Sequence, residues 1–205
     1  MRRGRHRAAF IAAISALTVI VAACDSHVEE PVPGRDRGPA GRCMKTTPEK
    51  PDRVLKSPGP DPACPPDPGP VPQLKLGVVR FPDAAVDGGA PPEVAVEIAQ
   101  LEEERMRGLM YRHNMAPDNG MWFVFDAESV QKFWMKNTCI PLDMVFVGAD
   151  GVIVGIEENV PTLNENTYTA GCMAQYVLET NAGWTRKHGV KAGQKVTWAR
   201  AGVDH

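Results

Sequence analysis

The sequence predicts an α+β fold dominated by β-structure, a mainly antiparallel sheet or small barrel carrying one or two short helices. Three observations lead there. Short runs rich in Val, Ile, Phe and Trp recur from residue 78 onward, with turn residues between them. In one of these runs Val94, Val96 and Ile98 alternate with Ala95, Glu97 and Ala99, the period of a half-buried strand. Helical spacing is confined to Glu102–His113 and to a brief run around Trp184.

Taken in order, Val78 to Phe81 reads as an outer strand, followed by a Gly- and Pro-rich interruption and the alternating strand up to Ala99. Glu102, Glu103 and Glu104 then precede Met106, Leu109 and Met110, with Arg105, Arg107 and Arg112 following. That charge order suits a helix dipole. Gly108 is a poor interior helix residue and marks either close packing or an early end. Strands are expected at 121–125, 131–136, 143–147, 152–157, 175–180 and 195–199. Asp150-Gly151 between two of them supplies the positive backbone angles of a tight hairpin. A short helix over Trp184 to His188 ends at Gly189.

Composition divides the chain into three parts. Residues 1–23 read as a leader, with Arg2, Arg3, Arg5 and Arg7 before an uncharged run from Ala8 to Ala23 that is short for a membrane span. The run ends Val21-Ala22-Ala23-Cys24, which resembles a bacterial lipobox, so Cys24 is expected to carry lipid; the alternative is ordinary secretory cleavage beside an incidental thiol. Residues 24–72 hold 13 prolines between Asp25 and Pro72 and no aromatic residue, too little apolar surface to offset ordering entropy. They are expected to form a disordered tether that lifts residues 73–205, a single globular domain, off the membrane.

Of 23 Lys and Arg, four lie in the leader, and the remaining 19 face 25 Asp and Glu, a formal charge of −6. That balance argues against nucleic acid as a partner. With Cys24 lipidated, Cys43, Cys64, Cys139 and Cys172 form an even set suited to an oxidising compartment. Three pairings are possible; the expected one joins Cys43 to Cys64 within the tether and Cys139 to Cys172 within the domain. No Cys-x-x-Cys spacing supports zinc.

The segments ERMRGLMYR from Glu104, GMWFVF from Gly120, FWMKNTCIPLDMVFV from Phe133 and YVLETNAG from Tyr176 resemble the prokaryotic family catalogued as domain of unknown function 192. The resemblance covers about residues 93–198 and implies a compact β-rich exported or membrane-associated domain, without an activity. Trp122 and Cys139 stand where simple aliphatic residues are expected from the family, and Cys172 where proline is more usual. Both unexpected cysteines strengthen the expected Cys139–Cys172 bond.

The richest polar block is FWMKNTCIPLD. If the helix and the late strand pack beside it, Lys136, Asn137, Thr138 and Asp143 together with Arg105, Arg112 and Glu179 form a candidate site for a small polar ligand. The competing reading is a tight bend built by Asn137 and Thr138, with an ion pair joining Arg105 or Arg112 to Asp143 or Glu179. The expected role is non-enzymatic binding of such a ligand or of an envelope protein. One alternative is a carboxylate enzyme acting on envelope glycans through Asp143 and Glu179. Another is copper binding by Met106, Met110, Met115, Met121, Met135 and Met144, positions that also suit core packing. No G-x-S-x-G or H-E-x-x-H motif is present, and no cofactor is expected.

The anchor is directly testable. Cys24→Ser is expected to shift the protein from the membrane to the soluble fraction, because several acyl chains anchor stably at about 0.8 kcal/mol per buried methylene. Retention of a cleaved Cys24→Ser protein in membranes would contradict the assignment.

Overall fold

The computed structural model of the chain describes residues 36–37, 41–55, 57, 59–84 and 89–202. The leader and Cys24 lie outside the described residues. Among the described residues nine strands and two helices follow in order: β1 (Asp36–Arg37), β2 (Cys43–Met44), β3 (Lys75–Arg80), β4 (Glu93–Ala99), α1 (Glu102–Arg107), β5 (Asn119–Val130), β6 (Leu142–Val147), β7 (Ile153–Val160), β8 (Met173–Asn181), α2 (Trp184–Lys187) and β9 (Thr197–Arg200). β1 and β2 form a separate two-stranded ribbon. The other seven form one sheet in the order β7-β6-β8-β5-β4-β3-β9. Every pairing in it is antiparallel except β4 with β5, which the crossover through α1 makes parallel.

The two edges of this sheet meet. Backbone N–H groups of Gly193 and Val196 donate to the carbonyls of Ile153 and Gly151 (2.9 and 2.7 Å), and Ile153 N–H donates to Gln194 (3.0 Å). Val96, Ile98, Trp122, Val145, Ile156 and Leu178 pack in the core on the enclosed side. Because successive residues of a strand face opposite ways, their neighbours Met121, Phe123, Met144, Phe146 and Val177 form a second core on the outer side. The Asp150-Gly151 turn closes the β6–β7 hairpin as expected, with Gly151 at φ +78° and Asp150 Oδ1 accepting from Val152 N–H.

Two of the elements expected within the domain change in the structure. The helix from Glu102 stops after six residues, because Gly108 turns to φ +49° and lies beside the ring of Phe123. The expected strand at 131–136 is an irregular segment tied by one bridge between Phe133 and Tyr168, since no neighbouring strand offers it a ladder. Its side chains still alternate: Met135 is buried and Phe133 half-buried, whereas Trp134 and Lys136 are exposed.

The Pro-rich segment from residue 41 runs over the domain, contrary to the expectation of a disordered tether there. Its disulfides are Cys43–Cys172 and Cys64–Cys139, with Cα separations of 5.5 and 5.3 Å, in place of the expected Cys43–Cys64 and Cys139–Cys172. The composition argument weighed only the apolar surface that the segment itself owns. Docking uses partners that the domain supplies. Lys45 N–H donates to Val154 O (2.8 Å) and Asp61 N–H to Cys139 O (2.7 Å). Lys45 and Arg53 pair with the buried carboxylate of Glu157, and Arg186 pairs bidentately with buried Glu158 (3.0 and 2.6 Å) while donating to the carbonyls of Pro48 and Glu49. Buried carboxylates held this way are costly to leave unpaired.

Non-reducing peptide mapping is expected to recover Cys43 linked to Cys172 and Cys64 linked to Cys139. Replacing both cysteines of either bridge by Ser should cost about 2–4 kcal/mol of stability, since each bond closes a long loop. Recovery of a Cys43–Cys64 peptide would overturn the observed connectivity.

Candidate functional site

The outer core is not fully covered. Between α1, the irregular segment 131–138 and the face of the sheet lies a cleft of about 430 Å³. Phe123 and Phe125 enter it from β5, where alternation puts both on one face, and Phe133 meets Phe123 edge-on with ring centroids 5.0 Å apart. Met106 and Trp134 form its lip, 57% and 41% exposed, an unusual setting for two large apolar side chains.

Glu179 of β8 also lines this cleft, and it is only 5% exposed. Among the described residues no hydrogen-bond donor reaches its carboxyl group. Burial therefore pushes its pKa from 4.5 up to about 8, only partly opposed by the charge of Arg112. Near neutral pH the group is mainly protonated and presents one O–H donor and one carbonyl acceptor to the cleft.

Of the seven residues expected to form a site, the structure brings Arg105, Thr138 and Glu179 to the cleft and leaves the other four elsewhere. Arg105 donates to the carbonyls of Gln100 and Val124 and lies 5.1 Å from the ring centre of Phe125. Thr138 is buried in the bend, its backbone carbonyl accepting from Leu163. Arg112 forms a bidentate pair with Glu97 (2.8 and 2.5 Å). Lys136 is exposed, pairs with Glu165 at 3.3 Å and lies over Trp134. Asn137 holds φ +56° in the bend, donating from Nδ2 to Tyr111 Oη (2.9 Å) while its carbonyl accepts from Tyr111 N–H (2.8 Å).

Asp143 lies on the other side of the sheet. It pairs in register with Thr180, whereas Met144 pairs with Glu179, so the two carboxyl groups face opposite ways. Asp143 is fully buried and fully used. Oδ1 accepts from the N–H groups of Asn159 (2.8 Å) and Gly183 (3.1 Å), and Oδ2 accepts from Thr185 N–H (3.0 Å) and its hydroxyl (2.6 Å). These bonds tie β6 to the end of β7 and to the start of α2. A reaction needing Asp143 and Glu179 on one substrate therefore has no common site. Of the methionines, Met121, Met135 and Met144 are buried in the outer core with Met115 packed against it, and Met106 and Met110 line the cleft.

Sequence reasoning reached Glu179 but missed the aromatic walls. The signal was present in the alternation of GMWFVF, which places Phe123 and Phe125 together. That Phe133 and Trp134 would join them depended on a loop whose course no local pattern specifies.

Fold and site thus define a β-dominated domain with a lateral apolar cleft around one buried carboxyl group. Its two disulfides suit an oxidising, extracytoplasmic location. The chain belongs to the domain of unknown function 192 family, described as Uncharacterized ACR, whose model matches residues 84–198. Two solved structures share the fold. A candidate transcription regulator from Sinorhizobium meliloti 1021 is 38% identical, covering 66% of this chain and 100% of its own, with a TM-score of 0.57. A protein of unknown function from Novosphingobium aromaticivorans DSM 12444 is 32% identical, covering 66% and 94%, with a TM-score of 0.58. No curated protein matches the chain.

The two carboxyl groups are expected to behave oppositely on substitution. Asp143→Asn puts a donor against the N–H and O–H of Thr185 and should cost roughly 3–5 kcal/mol. Glu179 favours the fold while protonated, and that advantage is lost as pH rises from 4.5 towards about 8. Glu179→Gln should therefore gain stability on the wild type by a few kcal/mol between pH about 5 and about 9. Denaturant melts of both variants across this range check it; a pH-independent difference for Glu179→Gln would contradict the assigned burial.

Proposed function

We propose that this protein is a membrane-anchored cell-envelope lipoprotein whose domain works as a non-enzymatic binding module. It takes a small, largely apolar molecule bearing one polar group into the cleft beside α1. The unpartnered, buried carboxyl of Glu179 at the base of an aromatic-walled cleft carries this reading. An apolar cleft with few polar groups is the usual form of a small-molecule site, and a neutral carboxyl without a partner gives the ligand one place to be recognised. An amide, alcohol or carboxylic acid matches its donor and acceptor. The ligand is accordingly less polar than the residue types of the FWMKNTCIPLD block suggest.

The lipobox-like sequence before Cys24 supports the anchor, and the disulfides support the envelope as the working compartment. The description of the Sinorhizobium relative as a candidate transcription regulator does not carry over, because a formal charge of −6 outside the leader offers phosphate backbones no attraction.

Titration with the fluorescent apolar amine N-phenylnaphthylamine tests the cleft. Saturable binding is expected, weakened about tenfold by Phe133→Ala, a loss of roughly 1.4 kcal/mol of contact. Glu179→Gln, which keeps a donor and an acceptor, should hold affinity within about threefold. Absence of saturable binding, or binding indifferent to Phe133→Ala, would reject the cleft as the ligand site.

A further inference from the structure

A second concave surface lies at the mouth of the closed sheet, beside the β6–β7 hairpin, on the face opposite Glu179. Trp122 from β5, Tyr176 from β8 and Trp198 from β9 converge there. Trp122 and Tyr176 stack with ring centroids 5.2 Å apart and planes 12° apart. Trp198 leans against both at 5.9 Å, tilted by 48° and 59°. The three rings, with Val147, Asp150 and Gly151, line a recess of about 210 Å³.

The indole N–H of Trp122 is fully buried there and meets no acceptor among the described residues. Trp122 is closed off behind the stacked ring of Tyr176, so the half-buried rings of Tyr176 and Trp198 present the accessible aromatic surface of the recess. At the rim, the Asp150 carboxylate is held by Arg42 (3.0 and 2.6 Å) and by Val152 N–H (3.1 Å), so acceptor and donor groups stand side by side in fixed positions. Both remain about two-fifths exposed. The recess therefore offers aromatic faces below and paired polar groups at its edge.

We propose that this mouth binds one neutral pyranose ring, such as the terminal sugar of an envelope glycan. A pyranose has apolar C–H faces that pack flat on aromatic rings, while its hydroxyls point outward in the ring plane, each able both to donate and to accept. That pattern matches rings underneath and an Asp150–Arg42 pair at the edge. The volume lies below the range of about 300–1,000 Å³ common for drug-sized ligands, so it holds a single ring and leaves any further sugars in solvent. The site is independent of the cleft around Glu179: the two lie on opposite faces of the sheet and share none of their lining residues.

The four tryptophans provide the readout, since each indole N–H gives its own resonance in an amide-type correlation spectrum of the isotope-labelled full chain. Titration with methyl glucoside, methyl galactoside and N-acetylglucosamine to millimolar concentrations is expected to move the Trp122 and Trp198 indole signals saturably with at least one sugar. Trp134 and Trp184 should stay in place. Trp198→Leu should weaken that sugar about tenfold, equivalent to roughly 1.4 kcal/mol, and Asp150→Asn, which keeps the fold's aromatic contacts, should weaken it measurably. Trp134→Phe should leave it unchanged. A shorter and a longer glycan of the same sugar should bind equally if only one ring is seated. The proposal fails if no sugar in the panel moves the Trp122 and Trp198 signals, or if free indole moves them and the sugars do not.

Discussion

Both faces of the main sheet are apolar, and the described residues supply two helices, of six and four residues, to cover them. Curling the sheet until its edges meet buries one face without help. The other face must be roofed by irregular chain, which has no ladder of its own to hold it. Most of the remaining structure follows from that need. The 131–141 segment, the loop leading to Cys172 and the Pro-rich run from residue 41 are fastened by cross-links, side-chain bonds and isolated backbone bonds, because a continuous ladder is not available to them. Two disulfides spanning 129 and 75 residues are suited to this, since they remove most entropy from the unfolded chain when the loop they close is long.

Polar groups inside the protein divide by whether the roof or the sheet needs them. Asp143, Glu157 and Glu158 are each met by several donors and join segments that would otherwise separate. Glu179 joins nothing. It sits where the roof is incomplete, which leaves its carboxyl desolvated by Phe123 and its neighbours without a partner to offset the cost. Such a residue weakens the fold above its ordinary pKa, and a chain under no other demand would place Leu or Val there. The cleft and its acid are therefore read as belonging to binding, and the satisfied acids as belonging to architecture.

A sheet that separates its faces also separates its sites. The cleft beside α1 and the aromatic mouth draw on alternate residues of the same strands: Glu179 and Phe123 serve one, Trp122 and Tyr176 the other. One ligand could not touch both. Occupancy of either is open to measurement without disturbing its counterpart, which makes a module with two small-ligand surfaces a coherent reading of the domain.

The β-dominated class, the Asp150-Gly151 hairpin and the membership of the family were legible in the sequence, because each depends on residues within a few positions of one another. Glu179 could be named from its sequence block, but its isolation could not. The cysteine pairing, the docking of the Pro-rich run and the parting of Asp143 from Glu179 were decided only by the tertiary structure. Asp143 and Glu179 looked like partners while their strands were unaligned. A register of Asp143 with Thr180 then turned them to opposite faces, and register is set by contacts between strands about forty residues apart along the chain, which no local period records. The Pro-rich run, judged by its own composition, had nothing to bury; the partners that order it, Val154, Glu157 and Cys139, lie 75 or more residues further along the chain and come within reach only once the sheet has closed.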